Sequence, residues 1–357
     1  MIEGHGGNIR RLAEELGCQA ADITDMSSNV NPLGPPPGLA AYLRENMDLI
    51  NALPDADSGS AVRAFSRRHD LNPRQVLAGN GTTQFIYFLP LALGSRRVLI
   101  VGPTYADYAD GCAMHGIAHD FLFASADQEF VPDMQQISDA AAKADTVFLC
   151  NPNNPTGSLI PFSHLKELCL SRPETRFIID ESYLPFVKDE TDHTMMHCGL
   201  ANVIVLNSMS KIFRIPGLRI GFLLADRDIA DRMRHYALPW SVNSLALNAV
   251  VWLMEHREIT DRFVTESREF LEAERKIFFH AMKSVSSIRL FPSCTSFILA
   301  QLKGSPNSEQ ICAALAREKI LIRNCANFKG LSDRFIRVSL KTPEINRMAA
   351  EKLAELQ

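Results

Sequence analysis

Five stretches of this chain set reactive residue types at the ends of apolar runs. The densest is NSMSKIFRIPGLRIG (207–221), which follows the run VIVL. Ser208 and Ser210 flank Lys211, and Arg219 stands eight residues on, between Gly217 and Gly221. Hydroxyls and a guanidinium suit a phosphate. A lysine that is partly desolvated and near another cation gives up its proton more readily and can form a Schiff base. A solvated basic loop is the alternative, and the clustering of all four residues argues against it. FIIDESY (177–183) ends an apolar strand in Asp180 and Glu181. Ligands of open α/β sheets lie at the carboxyl ends of strands, so Asp180 stands where a ligand would be; a helix cap or turn aspartate looks the same. In AGNGTTQFIYFLPLAL (78–93), a turn ending in Gly81 opens an amphipathic helix at Thr82 and Thr83. Free N–H groups and hydroxyls there make an anion site, although an ordinary capped helix shares the pattern. The spacing does not match a P-loop. NPNNPTG (151–157) makes a rigid loop directly after TVFLC, where Asn154 could offer its amide to a ring oxygen. Tyr105 in VGPTYADY could stack on a flat heterocycle or simply pack in the core.

These residues need a frame to hold them. RRVLIV, DTVFLC, RFIID, NVIVLN and LRIGFLLA are short, β-branched and apolar on both faces. That is the signature of strands in a buried, mostly parallel sheet. Amphipathic stretches lie between them, which predicts a doubly wound α/β sheet. Near residue 240 the texture changes. Residues 243–283 read as almost continuous helix, followed by the short strands SFILAQL, ILIRNC and RFIRVSL mixed with helices at 308–319 and 344–356. A smaller α+β domain is expected there. It should include the N-terminal arm, which the Pro-rich connector NPLGPPPG (31–38) separates from the large sheet. In RFIRVSL, strand alternation sets Arg337 on the face opposite Ile336 and Val338. Arg323 has a similar strand setting, and both could instead be solvated arginines. The arm itself, GHGGNIRR, is either a solvated tail or a flap over an anionic ligand.

The chain has 357 residues, 46% hydrophobic and 22% charged, with a net charge of −4. That balance argues against broad electrostatic binding of nucleic acid or anionic membrane. Eight scattered cysteines without a Cys-x-x-Cys pair suggest reduced thiols in a cytoplasmic protein, with no metal site. No apolar h-region predicts a signal peptide, and no apolar run approaches the ~18 residues of a membrane span.

Taken in order, GNGTT, PTY, NPNNPTG, DESY, SMSK and GLRIG resemble the fold-type I pyridoxal-phosphate enzymes, and within them the aminotransferase class I/II family near its histidinol-phosphate aminotransferase branch. The resemblance covers essentially the whole chain. It implies a large domain (33–240) with a mostly parallel seven-stranded sheet, a smaller α+β domain (1–32 and 241–357), pyridoxal 5'-phosphate as cofactor, and a homodimer. Lys211 then matches the Schiff-base lysine and Asp180 the partner of the pyridine nitrogen. Tyr183 and Asn154 match the partners of the phenolic oxygen, and Tyr105 the stacking ring. Gly81, Thr82, Ser208, Ser210 and Arg219 match the phosphate cradle, with Thr83 beside it. Arg337 matches the carboxylate-binding arginine.

A second set of motifs, HGGNIRRLAEELG, NVNPLG, LPDAD, IPGLR, LPWSVNSLA and LIRNCANFKGL, is similar to the threonine-phosphate decarboxylase branch. This implies release of CO2 from a phosphorylated amino acid in the making of the corrinoid linker. The substrate phosphate would be held by some of His5, Gly6, Asn8 and Arg323. The carboxylate would be held by Arg337, Asn154 and the 29–34 loop, with Asn31 as its named contact. Two departures stand out. Leu53 occupies a position where these families usually carry a tyrosine that reaches the partner subunit's cofactor. Arg214 replaces a small or apolar residue and is either an extra cation near the site or solvent-facing.

Overall fold

The computed structural model describes residues 6–356. A seven-stranded sheet lies at its centre. From edge to edge its strands are Val76–Gly79, Gly221–Leu224, Val203–Ser208, Arg176–Asp180, Thr146–Cys150, Arg97–Gly102 and Ala118–Phe123. Alternate residues face opposite cores. Leu99, Val147, Phe177, Val205 and Phe222 point to one, and Ile100, Phe148, Ile178, Ile204 and Leu223 to the other. The first core includes residues of helices Gly59–His69, Phe162–Ser171 and Ser244–Glu255. The second is covered by Thr82–Ala92, Asp107–Met114 and Arg227–Arg234. Burial on both faces is why these strands read as unbroken apolar runs.

All pairings are parallel except those of Gly221–Leu224, which runs against both of its neighbours. Two strands escape the apolar-run criterion. Ala118–Phe123 is a half-exposed edge carrying His119 and Asp120, and Val76–Gly79 is four residues long and ends in glycine.

A four-stranded antiparallel sheet forms the second centre, in the order Arg323–Asn324, Phe335–Ser339, Phe297–Leu302, Ile288–Leu290. Ile298, Ala300, Ile336 and Val338 pack with residues of helices Arg257–Ala281, Ser308–Arg317 and Pro343–Glu355. The opposite face is not left to solvent: Phe130, Phe291, Leu299, Phe328 and Phe335 form a separate apolar cluster there. Arg337 lies on that side, buried, with its guanidinium 5.2 Å from the Phe297 ring centre. The N-terminal segment joins this region. Thr24–Asp25 pairs in parallel with Ile320–Leu321, two residues before Arg323.

Candidate active site

The carboxyl ends of the central strands carry the reactive residues. Val203–Ser208 delivers Ser208, whose side chain accepts from the Ser210 N–H and caps the short helix Met209–Ile212 that holds Lys211. The chain returns through Arg219, at a left-handed φ of 56°, into Gly221–Leu224. Across that strand, Val76–Gly79 leads through Gly81 into helix Thr82–Ala92. No side chain caps this helix start. Gly81 has φ 74°, and a Cβ added there would stand 2.7 Å from an Arg219 guanidinium nitrogen. Only glycine meets both demands. The result is a cradle of hydroxyls, N–H groups and one guanidinium.

Two adjoining cavities open here and share Tyr105, Asn154, Tyr183 and Lys211. The first is lined also by Gly81, Thr82, Thr83, Asp180, Ser208, Ser210 and Arg219, so every residue expected at the cofactor is brought together. Asp180 is buried and accepts from Tyr108 Oη at 2.8 Å and from Ser182 N at 2.9 Å. Burial raises its pKa, and the two hydrogen bonds and the Lys211 charge oppose the rise. Burial lowers Lys211 to about 8, helped by Arg219 and Arg337 and opposed by Asp180. Tyr183 is pushed up to about 12 by burial against the pull of Arg337, and its hydroxyl accepts from Asn29 Nδ2 at 3.2 Å.

The second cavity is lined by Gly6, Ser27, Ser28, Asn29, Arg323 and Arg337 among others. Arg323 and Arg337 are direct partners on neighbouring antiparallel strands. Like charges placed opposite each other repel. Each guanidinium has a lowered proton affinity, first from burial, and Arg337 contributes further to the shift of Arg323. Arg323 donates to Asn327 Oδ1 at 2.7 Å, and Arg337 donates to Asn154 Oδ1 and to the Ser27 carbonyl at 2.7 Å. The Arg337 Nε–H is buried without a partner. An anion between the two arginines would relieve both the repulsion and the orphaned donor.

Some expected residues are elsewhere. Asn31 does not line either cavity: its amide nitrogen donates to the Ile212 carbonyl (2.8 Å) and Ser267 Oγ (2.7 Å), and its side-chain oxygen accepts from Leu33 N (3.0 Å). Those bonds fully occupy it in the fold, and Asn29, two residues earlier, takes the lining position. The repeated Asn in NVNPLG made the two hard to separate by type alone. Asn8 is exposed at the start of helix Ile9–Leu16 and lines neither cavity. Arg214 is exposed and donates to the carbonyls of Asn31 and Pro32. His5 lies outside the described residues. Tyr108, Ser182 and Cys150 line the cofactor-side cavity without having been expected. Tyr108 had a readable signal: it lies three residues after Tyr105, in the first turn of the helix Asp107–Met114 that follows it. No group of residues able to hold a metal ion occurs among the described residues, and none of their helices is long and apolar enough to cross a membrane.

The profile of aminotransferases of class I and II matches residues 21–353. The chain belongs to that family. As a class I/II family member it is a pyridoxal-phosphate-dependent enzyme of fold type I. It is 33% identical over 352 residues to the threonine-phosphate decarboxylase of Salmonella typhimurium, covering 96% of this chain and 93% of that one. Two solved structures share its fold with a TM-score of 0.84, each covering 93% of this chain and 99% of the other. They are L-threonine-O-3-phosphate decarboxylase from Porphyromonas gingivalis at 28% identity and histidinol-phosphate aminotransferase from Clostridium acetobutylicum at 26%. The donor set fits the family cofactor: a buried carboxylate, a lysine of lowered proton affinity, a stacking ring and an anion cradle that a Cβ would fill.

Proposed function

We propose that this enzyme decarboxylates L-threonine O-3-phosphate to (R)-1-amino-2-propanol O-2-phosphate and CO2, for use in building the corrinoid linker, with L-serine O-phosphate as a smaller substrate of the same class. The observation that carries this reading is the pair Arg323 and Arg337, opposed on adjacent strands in a cavity that shares Lys211 with the cofactor side. A substrate bearing both a carboxylate and a phosphate needs two such cations. When bound, pyridoxal phosphate supplies an aldehyde that captures the substrate amine and a ring that accepts the electrons of a bond broken at Cα.

The chain's residues do the rest. Gly81, Thr82, Thr83, Ser208, Ser210 and Arg219 hold the cofactor phosphate. Asp180 would hold a proton on the ring nitrogen, Tyr183 and Asn154 would bond the phenolic oxygen, and Tyr105 would stack on the ring. Lys211 anchors the cofactor and, with its lowered proton affinity, moves a proton at Cα. Arg337 binds the carboxylate beside Asn29, and Arg323 binds the phosphate with the arm at Gly6. A single methyl separates the two phosphorylated amino acids and is worth only ~1–3 kcal/mol of discrimination.

Dimerisation is part of this reading. Leu53, Leu238 and Trp240 are 76%, 71% and 51% exposed, and Trp240 N bonds the Ala56 carbonyl, which sets the two segments side by side. An apolar patch of that kind marks a protein interface.

A histidinol-phosphate aminotransferase reading is favoured by an equal likeness of fold. Incubation with threonine phosphate and no keto acid separates the two. The decarboxylase releases CO2 over many turnovers, whereas an aminotransferase stops after one equivalent of amine transfer. A panel of threonine phosphate, serine phosphate and histidinol phosphate with product analysis then fixes the substrate.

A further inference from the structure

The junction at Ser27 has no role in the reading above. Ser27 is 1% exposed and touches three things at once. Its carbonyl accepts from Arg337 Nη2 at 2.7 Å. Its hydroxyl accepts from the Gly7 N–H at 2.7 Å. That hydroxyl's one proton goes to Asp25 Oδ1 at 2.7 Å, and Asp25 Oδ1 also takes the Ser27 N–H at 2.8 Å. The direction of every bond is therefore fixed. With its proton on a carboxylate, the hydroxyl turns a lone pair to Gly7, and a charge-assisted chain is stronger than a neutral one. Gly6 lies against the same carbonyl that Arg337 uses: a Cβ there would stand 2.7 Å from the Ser27 oxygen. The arm and the guanidinium thus meet at one residue, Ser27.

We propose that Ser27 is a positioning residue that ties the N-terminal arm to Arg337, so that the arm closes on the second cavity as one unit with the guanidinium. Asp25 sets the tie by orienting the Ser27 hydroxyl. A shift of Arg337 toward a bound anion moves the Ser27 peptide, and the arm follows. The substrate part of this inference rests on the decarboxylase reading. The tie itself does not.

The test uses the cofactor-loaded enzyme and two variants. Ser27→Ala removes the acceptor for Gly7 and keeps the carbonyl for Arg337. Gly6→Ala leaves Asp25 and Ser27 intact and drives the arm off the carbonyl. Loss of one hydrogen bond of this kind predicts amide exchange about three- to tenfold faster across residues 7–16 in both variants. The visible absorbance of the bound cofactor stays as in the wild type. With threonine phosphate, KM rises by a similar factor while kcat changes less, a split that a general loss of folding does not produce. Unchanged exchange at 7–16 in both variants overturns the tie. So does faster exchange with KM unmoved, because the arm then takes no part in the cavity. If the wild-type enzyme leaves threonine phosphate untouched, the decarboxylase reading falls alone, and the exchange comparison still decides the tie.

Discussion

In the proposed reaction Lys211 is the residue on which the chemistry turns, and its surroundings give it a titration of its own. Burial and two neighbouring guanidiniums bring it to about 8, from the 10.5 of a free lysine. The neutral amine, the form that attacks an aldehyde, therefore becomes the major one above pH about 8. Capture of pyridoxal phosphate by the cofactor-free protein should accelerate as pH rises through about 8 and level off well below 10. Stopped-flow absorbance reads this directly, and Lys211→Ala should show no lysine-linked absorbance and no turnover. At Gly81 the constraint is steric. Gly81→Ala sets a methyl against Arg219 at a φ that disfavours a side chain, so cofactor affinity should fall and the cofactor-free melting temperature should fall as well. The two asparagines divide by role. Asn31→Ala removes buried hydrogen bonds and should cost about 1–3 kcal/mol of stability, measured by urea unfolding. Asn29→Ala also loses buried bonds, to Tyr183 and Ser339, and should in addition raise KM for the substrate, which Asn31→Ala should not.

Helices and strands explain which of these facts could be read ahead of the structure. Lys211, Asp180 and Asn154 each follow an apolar run long enough to be a buried strand, and position at the end of such a run is a one-dimensional signal. Arg337 was placeable on its strand by alternation. Its burial was not, because the residues it meets, Phe297, Asn154 and Ser27, are distant in sequence. Asn29 and Asn31 share a type and a loop, and only hydrogen bonds to Ile212 and Ser267 tell them apart. Ala118–Phe123 was hidden because an edge strand keeps polar residues.

The Asp180–Glu181 pair shows the same limit at the end of one strand. The two carboxylates are adjacent, yet Glu181 turns from the cavity and accepts from Thr194 Oγ1 and Met195 N, both at 2.6 Å. Burial raises its pKa to about 8, so the folded state holds its proton where the unfolded chain, near 4.5, has lost it. Folding thus binds more protons between those values, and this contribution to stability is full below pH 4.5 and lost as pH rises through about 8. Glu181→Gln cannot titrate. The melting temperature of the variant relative to the wild type should therefore climb from pH 5 to pH 9, which calorimetry at the two values would show.

On the scale of the whole molecule, the fold brings two distant pieces of chain, Gly6 and Arg337, to the second cavity, and the proposed dimer adds a third requirement. Leu53 cannot donate the hydrogen bond that a tyrosine would give, and with 76% of it exposed it offers apolar area instead. Leu238→Glu within the same patch should weaken self-association, seen as a lower sedimentation coefficient at a given concentration, and leave the far-ultraviolet circular dichroism unchanged.

The reversed strand Gly221–Leu224 has a mechanical consequence. Because it runs back against its neighbour, Lys211 and Arg219 sit on a single connection, while Gly81 and Thr82 follow the strand on its other flank, at the start of helix Thr82–Ala92. A cofactor gripped by both is a rivet through two leaves that nothing covalent otherwise joins there. Pulling the rivet should loosen residues 208–221 before any other part of the central sheet, and refilling the site should restore them in proportion to occupancy, as binding to the folded state alone requires.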